Sequence, residues 1–195
     1  MHPRVLAIQP WIHDFAAYDL WVRPLGLLSL ASVLRRCGAG VEFLDCLDRD
    51  WSDDSDLPSD RRPRADDYGC GHFRSDKIEK PDVFAPVKRH YRRYGVPPSR
   101  FDNRLETLPR PDCVLVSCTM TYWYPGAFEV IRRVRRHWPG VEVVLGGNYA
   151  VLCPEHAEKH SGADVIARRS GLTGALSAVS EALGEDLADT LSDLE

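Results

Sequence analysis

The chain has 195 residues and a mass of 22.0 kDa, enough for one generous domain or for one domain with an appendage. A 44% hydrophobic content supports a packed core, while a formal net charge of -4 gives no general reason to expect a nucleic-acid partner. No apolar run approaches the roughly 20 residues of a membrane span, and Met1-His2-Pro3-Arg4 lacks the apolar region of a signal peptide, so the expected compartment is the cytoplasm.

Taken in chain order, Val5 to Gln9 reads as a strand, and Pro24 to Arg36 as a helix with Leu27, Leu28, Leu30, Ala31 and Leu34 on its apolar side. Gly38 and Gly40 stop that helix, and Val41 to Leu44 forms a second strand. Asp112 to Ser117 is a third strand, whose continuous run Val114-Leu115-Val116 suits burial on both faces of a parallel sheet. A helix follows from Pro125, with Phe128, Ile131 and Val134 inward and Arg132, Arg133, Arg135 and Arg136 on a solvated outer face. Val141 to Leu145 is a fourth strand, Tyr149 to His160 a helix despite Pro154, Asp164 to Ala167 a short fifth strand, and Leu172 to Leu183 a last helix. Strands alternating with helices argue for an α/β fold, a doubly wound parallel five-stranded sheet of flavodoxin-like (Rossmann-type) order 2-1-3-4-5.

Residues 47 to 111 interrupt this rhythm with a connection far longer than usual. Asp48 to Asp67 carries Asp50, Asp53, Asp54, Asp56 and Asp60, then Arg61, Arg62 and Arg64, with few apolar side chains, and reads as a mobile surface loop. Tyr68 to Phe73 sets glycines around a histidine, and Val87 to Tyr94 reads as a short basic helix, so this part is expected to form a lid near the mouth of the sheet. The predicted division is an α/β domain over 1–171 with 47–111 as insertion, then a helix and acidic tail over 172–195. Cys37, Cys46, Cys70, Cys113, Cys118 and Cys153 show no two-residue gap of a zinc or redox motif and read as reduced thiols in or near the core.

Function in open parallel sheets gathers at the carboxyl ends of the strands. That edge should collect Gln9, Pro10 and Trp11 from the first strand, Ser117 to Tyr124 from the third, Gly146 to Tyr149 from the fourth and Arg168 from the fifth. Aromatics concentrate there, with Trp11, Phe15, Tyr18 and Trp21 after the first strand and Tyr122, Trp123 and Tyr124 after the third. Closure of the core or a dimer contact would use the same aromatics. The bare Gly146-Gly147 pair has no Cβ, so a large ligand can lie against its backbone. An aromatic-rimmed edge with hydroxyls and exposed backbone suits a large flat organic ligand better than a phosphate alone.

These residues carry a resemblance. The chain is similar to the N-terminal cobalamin-binding domain of cobalamin-dependent radical SAM proteins through Asp14-Phe15-Ala16-Ala17-Tyr18-Asp19-Leu20-Trp21, Pro24-Leu25-Gly26-Leu27-Leu28, Met120-Thr121-Tyr122-Trp123-Tyr124-Pro125-Gly126 and Leu145-Gly146-Gly147, up to about Gly171. The family pairs a Ser-x-Leu or Ser-x-Thr turn with a later Gly-Gly, and here Ser117-Cys118-Thr119 precedes Gly146 by the 26 residues from Met120 to Leu145. The resemblance implies that Ser117 and Thr119 contact the nucleotide tail of cobalamin and that Gly146 and Gly147 let it lie along the sheet. Trp11, Tyr18, Met120, Tyr122 and Asn148 complete the implied cofactor-binding set.

Two features depart from related patterns. The Asp-x-His-x-x-Gly segment of cobalamin-dependent mutases is missing around His13-Asp14-Phe15, so the expected cobalamin takes no histidine ligand from the protein, and neither His13 nor His72 is assigned to a metal. No Cys-x3-Cys-x2-Cys loop is present to hold a [4Fe-4S] cluster, so no catalytic residue is assigned and no radical is generated by the chain alone. The radical SAM barrel is expected either on a separate chain or lost, or the sequence is a truncated product. The leading expectation is a corrinoid-binding domain with a separate radical SAM chain as partner, serving a methyl transfer or related reaction. The alternative is a ligand-free flavodoxin-like interaction or regulatory module. A nucleotide or FMN enzyme is disfavoured because no glycine-rich phosphate loop follows the first strand.

Overall fold

The computed structural model describes residues 2–20, 23–51, 54–59, 62–185 and 187. Trp21, Asp53, Asp60, Arg61 and nearly all of the acidic tail, which entered the expectations above, lie outside the described residues. Its elements are β1 (Arg4–Gln9), β2 (Ile12–Asp14), β3 (Tyr18–Asp19), α1 (Leu25–Arg36), β4 (Gly40–Asp45), β5 (Gly71–His72), β6 (Ser75–Lys77), β7 (Arg92–Tyr94) and α2 (Pro98–Thr107). They continue as β8 (Cys113–Ser117), α3 (Tyr124–His137), β9 (Glu142–Gly146), α4 (Asn148–Leu152), α5 (Pro154–His160), β10 (Val165–Ile166) and α6 (Gly171–Leu183).

The main sheet is parallel throughout and runs β4, β1, β8, β9, β10 from edge to edge. Alternation along each strand divides its side chains between two cores. One face sends Val5, Ala7, Val41, Cys113, Leu115, Val144 and Val165 against Leu27, Leu30 and Leu34 of α1 and Leu176 and Val179 of α6. The other sends Leu6, Ile8, Leu44, Val114, Val116, Val143 and Leu145 against Phe101 and Leu105 of α2 and Val130, Ile131 and Val134 of α3. Burying one such leucine or isoleucine contributes about 2 kcal/mol. Helices on both faces make the architecture α/β.

Two helical expectations change. Pro154 does not sit inside a single helix: the chain breaks at Cys153, and α4 and α5 are separate because the ring removes an amide that only a first turn can spare. Val87 to Tyr94 is not helical, since Arg92–Tyr94 pairs with both β2 and β6 in a three-stranded antiparallel sheet. Ladder hydrogen bonds to distant partners override the local helical preference of that basic stretch. The insertion also contains α2, absent from the sequence reading, which takes the position of an ordinary crossover helix against α3. β5 pairs with β3, so the insertion is fastened to the segment leaving β1.

All six cysteines are free, and burial pushes the thiols of Cys113 and Cys118 up to about 12. Among the described residues, no helix is long and apolar enough to cross a membrane.

The arginines of α3 are not uniformly solvated. Arg133 reaches Asp102 at 2.6 Å and Glu129 at 2.8 Å, while Arg135 donates to the carbonyls of Val141 and Gly162. Glu129 also meets Arg93 and His13, each at 3.1 Å. Trp11 is fully buried beside this cluster, its indole N–H donating to the Val96 carbonyl at 2.8 Å and its ring edge-on to Phe101 at 5.0 Å. Gly126 of α3 presses on the same residue, because a Cβ there would stand 1.9 Å from the Trp11 carbonyl oxygen.

Two carboxyls set opposing pH dependences. Burial alone would raise Glu129, but His13, Arg93 and Arg133 outweigh it and hold the carboxyl down to about 2. Burial pushes Asp45 up to about 6, opposed by the Leu47 amide and reinforced by Asp48. Glu129 therefore contributes stability that is present above its ordinary value of 4.5 and lost as pH falls towards about 2, worth on the order of 3 kcal/mol. Asp45 has the opposite sign: the folded state holds its proton more tightly, so its contribution falls as pH rises from 3.8 to about 6. Urea denaturation across that range should show Glu129→Gln less stable than the parent at pH 7 and Asp45→Asn more stable, the two differences shrinking towards acid. Gly126→Ala should lower stability by at least about 2 kcal/mol, since backbone rather than a movable side chain opposes the new methyl; an unchanged denaturation midpoint would contradict the close approach.

Candidate functional site

The last inward position of each strand on the α1/α6 face forms a row across the carboxyl edge. Gln9 lies opposite Asp45, and Ser117 opposite Gly146. The pairings Ile8 to Val116 and Leu145 to Ile166 join these, so the row reads Asp45, Gln9, Ser117, Gly146, Ala167. Gln9 is 2% exposed, and its side-chain oxygen has no hydrogen-bond partner.

Over the Ser117–Gly146–Ala167 end of this row opens a cleft of about 410 Å³. Its floor is the two strand ends, one wall is the first turns of α1 (Gly26, Leu27, Ser29, Leu30), and the other is Arg169 to Leu172 with Ala175 of α6. Gly147, Asn148 and Val151 close the side toward α4. Leu27, Leu30, Leu115 and Val144 make the interior largely apolar.

The glycines of this cleft differ in what they do. A Cβ on Gly147 would lie 2.4 Å from the Cys118 carbonyl oxygen, and its φ of +89° is in the left-handed region, so glycine is needed there by the fold itself. Gly146 has only the Ala167 methyl, at 3.7 Å, near its missing Cβ. Gly26 sits in the first turn of a helix with nothing within 4 Å of its missing Cβ, at a position where alanine would be better by about 1 kcal/mol. Internal packing does not account for Gly26 or Gly146; both leave room on the cleft side for a bulky occupant.

The cleft also lies at two uncapped helix starts. Neither Pro24 before α1 nor Ser170 before α6 supplies a side-chain cap, and both helices exceed three turns. Their first-turn amides and partial positive charge favour an anionic group at this place.

Of the expected site residues, Ser117, Gly146, Gly147 and Asn148 line this cleft together. Thr119, Met120 and Tyr122 follow Ser117 in the loop and single helical turn before α3, with Met120 37% and Tyr122 51% exposed. Trp11 is a core side chain whose polar atom is already bonded, and Tyr18 lies in β3, its hydroxyl on Asp66 and its ring edge-on to His72 at 4.9 Å. His13 is held against Glu129 on the α3 side. Among the described residues, none of 47–111 lines the cleft. Sequence reasoning missed the contribution of α1 and α6 to the walls. The glycine in Pro24-Leu25-Gly26, out of place in a leucine-rich helix, was the available signal.

Among the described residues, no group of three His, Cys, Asp or Glu side chains is arranged to hold a metal ion. No curated protein matches the chain. A family model, the B12 binding domain, matches residues 86–178, a segment that runs from just before β7 into α6 and so contains the Ser117 turn, the Gly146-Gly147 pair and the α6 wall of the cleft. Over that segment the chain is similar to a B12 binding domain, and β1, α1 and β4 outside it complete the α/β sheet and the other wall of the cleft.

Proposed function

We propose that this protein binds cobalamin, seats its nucleotide tail in the cleft between α1 and α6, and presents the corrinoid to a radical SAM chain that carries the catalytic barrel. The observation that carries the reading is the pair Gly26 and Gly146, whose open faces flank a slot of about 410 Å³ partly built by the B12-binding segment. An aromatic base fits the apolar interior, and Ser117 and Asn148 offer polar partners. The tail's phosphodiester suits the uncapped starts of α1 and α6. Exposed Leu25, Met120, Tyr122, Leu152 and Leu172 belong to segments at the same edge and would meet the apolar face of the corrin.

Cobalamin, when bound, supplies cobalt–carbon bond chemistry. The protein's part is to bind, orient and keep water from one face. In this reading the cobalt takes no histidine from the chain, because His13 is engaged by Glu129 and His72 packs on Tyr18. The radical SAM partnership is supported by the Asp14 to Trp21 and Met120 to Gly126 segments, which resemble that branch of cobalamin proteins.

The test uses two corrinoids. Hydroxocobalamin incubated with the protein and desalted should leave corrinoid absorbance with the protein, and cobinamide, which lacks the nucleotide tail, should be retained at least about tenfold more weakly. Gly146→Val should lose cobalamin while keeping the parent circular dichroism, whereas Gly147→Val should unfold. Equal retention of cobinamide would remove the tail from the cleft; no retention of cobalamin would overturn the reading.

A further inference from the structure

A second cleft is lined in part by Phe15 to Tyr18 of the segment leaving β1 and shares no lining residue with the first. It is broad and open, about 1300 Å³, and is built over β3, β5 and the face of the β2–β7–β6 sheet. Arg62, Arg64, Arg74, Lys77, Arg89 and Arg92 line it, against one carboxylate, Asp76. This is a concentrated positive field on a chain whose formal net charge is -4.

The protein neutralises only part of that charge. Arg74 forms a paired contact with Asp56, at 2.7 and 3.0 Å, and Asp76 is taken by Arg93 at 3.1 Å. Arg62 donates to the carbonyls of Leu57 and Ser55, which leaves its charge in place. Arg64, Lys77 and Arg89 meet no carboxylate among the described residues. Arg92 stands between Asp14 of β2 and Lys77 of β6 as a direct cross-strand partner of both, so one carboxylate serves two cations in this row and a net positive charge remains on the cleft side. Arg92 donates to the Ser75 hydroxyl at 3.4 Å.

We propose that this cleft docks an acidic segment of a partner polypeptide. Size decides against a small ligand: the cleft exceeds the roughly 300–1,000 Å³ of small-molecule sites and is not enclosed. A long nucleic acid would extend beyond the basic cleft onto an acidic molecule, while a short peptide stays within about 8 Å of the cations, the screening length at physiological salt. The proposal goes beyond the cobalamin reading and stands on charge and register alone.

A fluorescein-labelled deca-glutamate peptide is the probe, read by fluorescence anisotropy. It should bind the full chain at low salt and dissociate in roughly 0.5 M NaCl. Lys77→Glu/Arg89→Glu should weaken binding by at least about tenfold, and Arg132→Glu, a reversal on the exposed outer side of α3, should not. Lys77→Ala should weaken the peptide while leaving the denaturation midpoint of the free protein unchanged, since Lys77 is exposed and Arg92 keeps Asp14 opposite it. Absence of binding at low salt, equal loss in Arg132→Glu, or tighter binding of oligothymidylate of equal charge would each overturn the assignment. Cobalamin retention by Lys77→Glu/Arg89→Glu should match the parent, so failure of the cofactor reading and failure of this one are seen separately.

Discussion

Three strands leave the sheet at its carboxyl edge, and each exit is pinned by the bare backbone of a glycine from another element. Gly126 meets the Trp11 carbonyl after β1, Gly95 meets the Cys46 carbonyl after β4, and Gly147 meets the Cys118 carbonyl after β8; a Cβ at any of them would fall within 2.4 Å of oxygen. Backbone against backbone leaves no rotamer to relax, so the positions of the three exits are fixed more tightly than side-chain packing could fix them. The cleft inherits that rigidity. Ser117 and Gly146 are placed by the ladder, and the amide of Cys118 donates to the Gly146 carbonyl at 2.9 Å just beyond them.

The same edge separates two chemistries. On the α1/α6 face the row from Asp45 to Ala167 loses polarity from one end to the other, and the cleft opens over its apolar end. On the α2/α3 face the exits run into a buried charge cluster of Glu129, His13, Arg93 and Arg133, two of whose guanidinium groups flank the Trp11 ring at 5.8 and 5.6 Å. Trp11 is thus an anchor for the loop that carries Asp14 to Asp19.

Much of the fold was legible because it is built from long, periodic segments. The strand Val114-Leu115-Val116 and the inward positions of α3 announce themselves by composition and spacing. The short elements were not legible. Arg92–Tyr94 carries no period, and its state depends on partners 78 to 82 residues away at Ile12 to Asp14 and 15 to 19 residues away at Ser75 to Lys77. Phe101 and Leu105 have helical spacing, but two buried apolar positions in ten residues are too few to mark α2 within so long an insertion. At the site, sequence could place Ser117, Gly146, Gly147 and Asn148 on one edge, since a βαβ unit dictates it. It could not distinguish Gly147, required by a positive φ and a close oxygen, from Gly146, whose free face is the informative one. Nor could it tell that Trp11 is turned inward, because an aromatic after a strand reads alike whether it closes a core or faces a ligand.

The central strand pair has a kinetic consequence. β1 lies beside β8, and the contact that fastens their amino ends, the Arg4 amide to the Asp112 carboxylate at 2.7 Å, spans 108 residues. By contrast β1 reaches β4 through α1, β8 reaches β9 through α3, and β9 reaches β10 through α4 and α5, all over shorter stretches of chain. Closing the longer loop costs chain entropy before any contact rewards it. Chain entropy therefore favours early formation of two local units, β1–α1–β4 and β8 to β10, over the seam between them. During synthesis the first unit must wait with one open strand edge until the second emerges, and only their union creates the two walls of the cleft.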